Sequence, residues 1–459
     1  MSKLFENIEK FKKKVALIDI DGSKKTYGQI LNTDKKIKGK INSKSIILMI
    51  CNNSIQSFTA YISFIKNGHI TILLDISFSE LFIKNIINKF KPNYIFSSKN
   101  YFKNDKLKKI LDIDGYLIFK TKIKKNYKIN YINNLLLTTS GTTQNPKMVR
   151  LSNKNLYANT KNIIDYLNIK SNHTTITTMP MAYSYGLSII NSHIEAGSSI
   201  VVNNKTIFDK AFWKAIEKFK VTSFGGVPSF YEMLKRLKVE NMKLNSLKYL
   251  TQAGGKLDLN SLKNLNNIFK LKKIKFYIMY GQTEAGPRMS YLSPKMIDKF
   301  PGSIGKPLKN SFFEIIDESG KKIKNSFGEG ELVFYGDNVS LGYAKNIIDL
   351  YKGDENKKKL YTGDIGIRNK EGFYFITGRK NRFIKISGLR IDIEDIEQFL
   401  KFKKNESSIL VKDNKLEIQS VKKLNFKKIT EKIFKKYKIR PNDIIFDLIE
   451  RKESINFKK

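Results

Sequence analysis

The chain has 459 residues, with 85 Lys and Arg against 42 Asp and Glu, a formal net charge of +43. That length allows two or three domains around a large core, and a composition of 41% hydrophobic and 28% charged residues is ordinary for a globular protein. Cys51 is the only cysteine, which excludes a disulfide framework and a cysteine-ligated metal; no apolar run reaches membrane-spanning length, and the acid-bearing N-terminus does not read as a signal peptide, so a reduced cytoplasmic setting is expected.

Residues 45–50 read as a buried strand and 55–66 as a helix packed on it. The next strand is 70–75, followed by an amphipathic helix over 78–90, and 94–96 and 115–119 add further strands. Strand–helix alternation of this kind predicts a parallel sheet with covered faces. The rhythm repeats between 135 and 300, with strand-like runs at 174–179, 199–202, 223–226 and 275–279. From about 310 to 378 short β segments alternate with turns at Gly328, Gly330, Gly336, Gly342 and Gly372, which suggests a smaller β subdomain. A basic tail of mixed pattern follows Gly378, about 80 residues long and sufficient for a small domain. The fold class is therefore α/β. A large region, 1–380, has parallel-type sheets with covering helices plus the β subdomain, and a small α+β C-terminal domain spans 381–459.

Four segments carry chemistry. In Leu136-Leu137-Thr138-Thr139-Ser140-Gly141-Thr142-Thr143-Gln144-Asn145-Pro146-Lys147 an apolar run ends in hydroxyl residues around a glycine, then Pro and Lys. Such a loop offers backbone N–H groups, hydroxyls and one ammonium to an anion, polyphosphate being the natural guest. It lacks Walker A spacing, and by itself it also reads as a solvated Ser/Thr turn. Tyr280-Gly281-Gln282-Thr283-Glu284 follows a strand at the edge where open α/β sheets bind ligands. Tyr280 can stack on a base, Thr283 can donate to phosphate and Glu284 can hold Mg²⁺, although a helix cap is the plain alternative. In Tyr361-Thr362-Gly363-Asp364 an exposed Asp can accept both hydroxyls of a ribose, or the segment is a simple turn. The fourth, Gly378-Arg379-Lys380-Asn381-Arg382-Phe383-Ile384-Lys385-Ile386-Ser387-Gly388-Leu389-Arg390-Ile391, is either a basic turn–strand–turn or a place where the Arg379 fork binds ribose or phosphate.

In this order and with these gaps, the segments resemble the adenylate-forming superfamily, the acyl- and aryl-CoA synthetases and stand-alone adenylation domains. The resemblance extends to Ala16-Leu17-Ile18-Asp19, Thr26-Tyr27-Gly28, residues 180–186, Gly225-Gly226-Val227-Pro228, Ala253-Gly254-Gly255-Lys256-Leu257, Gly330-Glu331-Leu332 and Leu341-Gly342-Tyr343, nearly the whole chain. It implies that Thr139, Ser140, Gly141, Thr142, Thr143 and Lys147 hold a triphosphate, and that Gly254, Gly255, Tyr280 and Gly281 form an adenine slot. It further implies that Thr283 and Glu284 meet phosphate and Mg²⁺, and that Asp364 binds ribose with Arg379 beside it. Lys385 joins Lys147, Thr283, Glu284 and Arg379 in the implied catalytic group, and Gly388 falls on the loop lining the thiol tunnel. The implied reaction is attack of a carboxylate on the α-phosphate of ATP, release of pyrophosphate, and transfer of the acyl group to the thiol of CoA or of a carrier-protein phosphopantetheine. The small domain would rotate between the two half-reactions about a hinge at Asn381, and an acidic carrier protein suits the basic surface.

Three positions depart from the family pattern. Gln144 stands where the phosphate loop has Gly or Ser. Asn456, in Arg451-Lys452-Glu453-Ser454-Ile455-Asn456, stands at the expected catalytic Lys, a loss of about 10²–10³ in rate unless a nearby Lys substitutes. Tyr183 stands where many acyl-CoA synthetases have His. The same segment lacks the Phe-Asp-x-Ser pattern that holds an α-amino group, so a simple carboxylic acid is expected over an amino acid. His69, His173 and His193 lie outside every motif and are assigned no catalysis or metal. The rival readings are a catalytically weakened adenylate-binding homologue, an amino-acid-loading adenylation domain and a basic nucleic-acid-binding protein. The last lacks any zinc-finger, helix-turn-helix or RNP-like motif.

Overall fold

Two sheets face each other across a pair of buried helices. The computed structural model describes residues 3–99, 107–123, 130, 132–138, 147–380, 383–386, 389–400, 407–412, 415–421, 424–437 and 439–448. One sheet has nine strands, whose central six run parallel: Lys275–Tyr280, Tyr249–Gln252, Ser223–Gly226, Thr174–Ile176, Ser199–Val202 and Val15–Asp19. The other has eight, with a parallel core of Asn133–Thr138, Ile70–Asp75, Ile46–Cys51 and Tyr94–Ser98. The helices Ile55–Lys66 and Ser184–Glu195 bury nearly every residue, so neither presents a polar face. A helix apolar all round is stable only when covered on all sides. Here Phe58, Tyr61 and Ile62 of the first and Leu187, Ile190 and Ile194 of the second share one core with Ile47, Leu73 and Leu135 of one sheet and Leu17, Ile200 and Val202 of the other. Tyr61 Oη donates to Asn191 Oδ1 at 3.0 Å, satisfying two buried polar groups between the helices.

The expected strands and helices occur, with two differences. The run 174–179 is a strand only over Thr174–Ile176, because the chain turns through Pro180 into the helix that begins at Ser184. The sheet edges are antiparallel where alternation predicts parallel pairing. Lys108–Ile113 and Tyr116–Lys120 form a hairpin whose two turn residues, Asp114 and Gly115, both have positive φ, the backbone that an Asp-Gly pair favours.

Between 310 and 378 lies a separate antiparallel sheet of Phe312–Ile316, Gly330–Tyr335, Lys359–Arg368 and Tyr374–Arg379. Beyond it come the pair Phe383–Ile386 and Leu389–Asp392, a three-stranded sheet, and the helices Ile393–Phe399 and Phe426–Tyr437. Ile393, Ile396, Ile409, Leu416, Ile418, Ile433, Ile439 and Ile444 give this last part an apolar core of its own.

Candidate active site

The parallel strands of the nine-stranded sheet all end on one edge, and the motif residues follow directly after them. Strand Lys275–Tyr280 runs into the loop 281–289, which returns as Ser290–Leu292. Gly281 permits that return: a Cβ there would lie 1.8 Å from the Pro287 carbonyl oxygen. The side chains of Asn159 and Asn338 donate to the Arg288 carbonyl at 2.9 and 3.0 Å and so anchor the far arm of the loop. After Tyr249–Gln252 comes Gly254 with φ +79°, a left-handed turn packed so closely that a Cβ would meet the Tyr183 hydroxyl at 2.7 Å. The wall of the predicted adenine slot is therefore backbone, with the Tyr183 phenol beside it.

The four-stranded sheet brings Asp364 to this edge. Asp364 is expected from its sequence context to be exposed; it is only 3% exposed. The reason is that three side chains cover it. Tyr280 Oη donates to Oδ2 at 2.5 Å, Gln282 Nε2 donates to the same oxygen at 2.9 Å, and Arg379 Nε donates to Oδ1 at 2.6 Å. Asp364 and Arg379 are register partners on adjacent strands, so the sheet itself fixes their pairing. Burial, with the Asp364 charge beside it, raises the Tyr280 phenol well above its usual range and keeps it a donor. A carboxylate has about four acceptor positions, so the cluster leaves room for a further hydroxyl.

A second row lies along the same loop. Lys147 Nζ sits 3.5 Å from the centroid of the Tyr343 ring, and Tyr343 Oη donates to Glu284 Oε1 at 2.9 Å. Tyr343 reaches this position because its short strand pairs with Met148–Ser152, immediately after Lys147. Thr283 Oγ1 lies 3.0 Å from Ser184 Oγ at the start of the buried helix. The expected helix cap does not form at this motif: Thr283–Ala285 is one 3₁₀ turn without a side-chain cap. A Mg²⁺ held by one carboxylate and by phosphate oxygens fits Glu284, whose second oxygen faces no printed donor. Among the described residues no group of three or more His, Cys, Asp and Glu gathers to hold a metal by itself.

The structure thus joins Tyr280, Asp364 and Arg379 in one cluster and Lys147 with Glu284 in another, the loop 281–284 connecting them. Thr139, Ser140, Gly141, Thr142, Thr143, Gln144, Asn381, Gly388 and Asn456 lie outside the described residues. Lys385 pairs through its backbone with Arg390, and its side chain is likewise outside the described part. Sequence reasoning passed over Gln282, Ser184, Tyr343 and Arg288. Tyr343 stood in a motif already noted, but nothing in its spacing tied it to Lys147 and Glu284.

The sequence pattern of the AMP-binding enzymes matches residues 4–344, and the chain belongs to that family. It is an AMP-forming acid–thiol ligase, which uses ATP and Mg²⁺ to activate a carboxylic acid as an acyl-adenylate and passes it to CoA or a carrier-protein thiol. Similar sequences include the D-alanine–D-alanyl carrier protein ligase of Streptococcus pyogenes serotype M3, 26% identical over 422 residues that cover 86% of this chain and 81% of that one. In fold the chain resembles the o-succinylbenzoate CoA synthetase of Bacillus subtilis. With its acyl-adenylate intermediate bound, that structure gives a TM-score of 0.75 at 19% identity, covering 100% of this chain and 96% of the other. The same enzyme with ATP and magnesium gives 0.72 at 19% identity, with coverages of 95% and 93%. No helix among the described residues is long and apolar enough to cross a membrane.

Proposed function

We propose that the edge formed by Tyr280, Asp364 and Glu284 is where a non-amino carboxylic acid is adenylated. The observation that carries this reading is the convergence of the Tyr280–Gln282–Asp364–Arg379 cluster with the Lys147–Tyr343–Glu284 row on one loop. Asp364 takes a ribose hydroxyl, and Arg379, already on that carboxylate, adds its remaining donors to the neighbouring phosphate. Gly254 and Gly255 give the base a flat backbone wall beside Tyr280. Thr283 donates to a phosphate oxygen, and the Lys147 ammonium, together with the phosphate loop 139–143, draws off charge as the carboxylate oxygen bonds to the α-phosphorus and the bond to pyrophosphate breaks. Mg²⁺ held on Glu284 supplies further charge neutralisation. The thiol sulfur then bonds to the acyl carbon and AMP leaves.

Residues 1–380 and 381–459 are read as two units, the second, with Lys385 and Gly388, turning about Asn381 between the half-reactions. Its separate apolar core supports that division. A buried, free Cys51 and the use of ATP fit a cytoplasmic protein. The S. pyogenes relatives are named for D-alanine, and the present chain departs from an amino acid substrate because no carboxylate is found beside the wall formed by Tyr183, Tyr185 and Arg288 to receive an ammonium.

ATP–pyrophosphate exchange across short, branched, aryl, dicarboxylic and amino acids tests the reading. Exchange with one class of non-amino acid, lost in Glu284→Gln, is expected. ATP binding without exchange in any class would overturn it in favour of the catalytically weakened homologue, and restoration by Asn456→Lys would trace the defect to the C-terminus.

A further inference from the structure

Arg288 closes the loop that carries Thr283 and Glu284, and it is the largest buried cation near the site. It is 1% exposed. Its Nη1 donates to Tyr166 Oη at 3.0 Å and to Met279 Sδ, its Nη2 donates to Ser188 Oγ at 3.1 Å, and its carbon lies 4.5 Å above the Tyr185 ring. Every one of these partners is neutral. Among the described residues no carboxylate lies within ion-pair distance, and the buried Nε has no hydrogen-bond partner. Isolating a guanidinium in this way costs several kcal/mol after relaxation, and buried donors are rarely left unmet in a ligand-free core of purely structural purpose. Nε and Nη2 share one edge of the planar group, and one donor on each remains unused, which is the arrangement a carboxylate accepts with both oxygens.

That guanidinium lines a narrow cavity between the buried helix Ser184–Glu195 and the strand ends, with Gly225, Thr251, Tyr249, His193 and Ser192. Burial pushes His193 down to about 4, so it is neutral at physiological pH and adds no competing charge. The space holds about one water, enough for the tip of a polar group and too little for a long alkyl tail. An ammonium would be repelled here, whereas an anion supplies the missing countercharge.

We infer that Arg288 binds the second carboxylate of a short dicarboxylic acid whose first carboxylate is the one adenylated beside Thr283 and Glu284. The inference rests on the adenylation reading above and adds the class of acid.

The test uses the full chain, with C4 to C8 dicarboxylates and monocarboxylates of matched length. It reads kcat/KM in ATP–pyrophosphate exchange together with ligand-induced shifts in Tm. Wild type is expected to prefer the diacid by about 10²-fold or more, because a site with an unmet buried donor discriminates strongly against an analogue lacking the acceptor. Arg288→Met is expected to remove that discrimination, and Arg288→Lys to restore part of it. A Tm shift with ATP and Mg²⁺ in both variants certifies the fold. Equal use of monoacid and diacid by wild type would overturn the inference. So would an equal loss for both classes in Arg288→Met, the mark of a merely structural cation, or a Tm shift with ATP and none with any diacid. Diacid stabilisation that depends on Arg288, without exchange, would instead sustain the diacid site and refute adenylation.

Discussion

Tyr343 touches both charged groups of the second row, and removing its hydroxyl separates their roles. In Tyr343→Phe the ring stays, so the Lys147 contact at 3.5 Å survives, while the 2.9 Å bond to Glu284 Oε1 is lost. Burial, and then the Glu284 charge, hold the Tyr343 hydroxyl above its usual range, so it is a committed donor to that carboxylate. A hydrogen bond to a charged acceptor contributes about 1.5–3 kcal/mol. The pair is partly solvated, which lowers this to about 1–2 kcal/mol, a factor of roughly 5–30 in an equilibrium constant. The carboxylate then loses its fixed orientation, as happens when the outer partner of a metal ligand is removed, a change that typically costs about 10–100-fold in metal affinity. The half-saturating Mg²⁺ concentration in ATP–pyrophosphate exchange should therefore rise by about tenfold, with KM for the acid unchanged. An unchanged or lower Mg²⁺ requirement, in a variant with wild-type Tm, would refute the reasoning.

Asp364→Asn leaves Tyr280, Gln282 and Arg379 facing a neutral amide that accepts on one side only. KM for ATP should rise by about 10–100-fold, more than KM for the acid, because a charge-assisted contact to the nucleotide is lost; steady-state kinetics varying each substrate checks this. Gly281→Ala should destabilise the chain by about 1–3 kcal/mol or more and abolish exchange, since the new Cβ meets backbone at 1.8 Å, and a chemical melt with an exchange assay decides it. His193 donates through Nδ1 to the Ile189 carbonyl and accepts at Nε2 from Tyr249, a neutral tautomer whose folded pKa of about 4 lies below the unfolded value. The unfolded chain then binds the extra proton, so stability is full above about pH 6.5 and falls toward pH 4 by up to about 3 kcal/mol. Urea melts from pH 4 to 8 should show that loss, and His193→Gln should remove it.

The alternation of apolar runs and amphipathic helices was sufficient to expect parallel sheets, because each run is buried on both faces and each helix must cover one. The Asp114-Gly115 turn also carried its hairpin in plain residue types, a two-residue signal that local sequence contains in full. The motif residues Tyr280, Glu284 and Asp364 were legible as candidates because each follows a strand or a glycine turn. Their company was not. Tyr280 and Asp364 are 84 positions apart, and the Asp was expected to be exposed until strand pairing brought Arg379 and the loop brought Gln282 over it. Nor could any periodicity tell that Arg288 is buried among neutral groups, or that Tyr343 stands between Lys147 and Glu284. Secondary structure and chemical repertoire are set by neighbours along the chain, whereas burial, charge pairing and the vacancy beside a guanidinium arise only when distant segments close on one another.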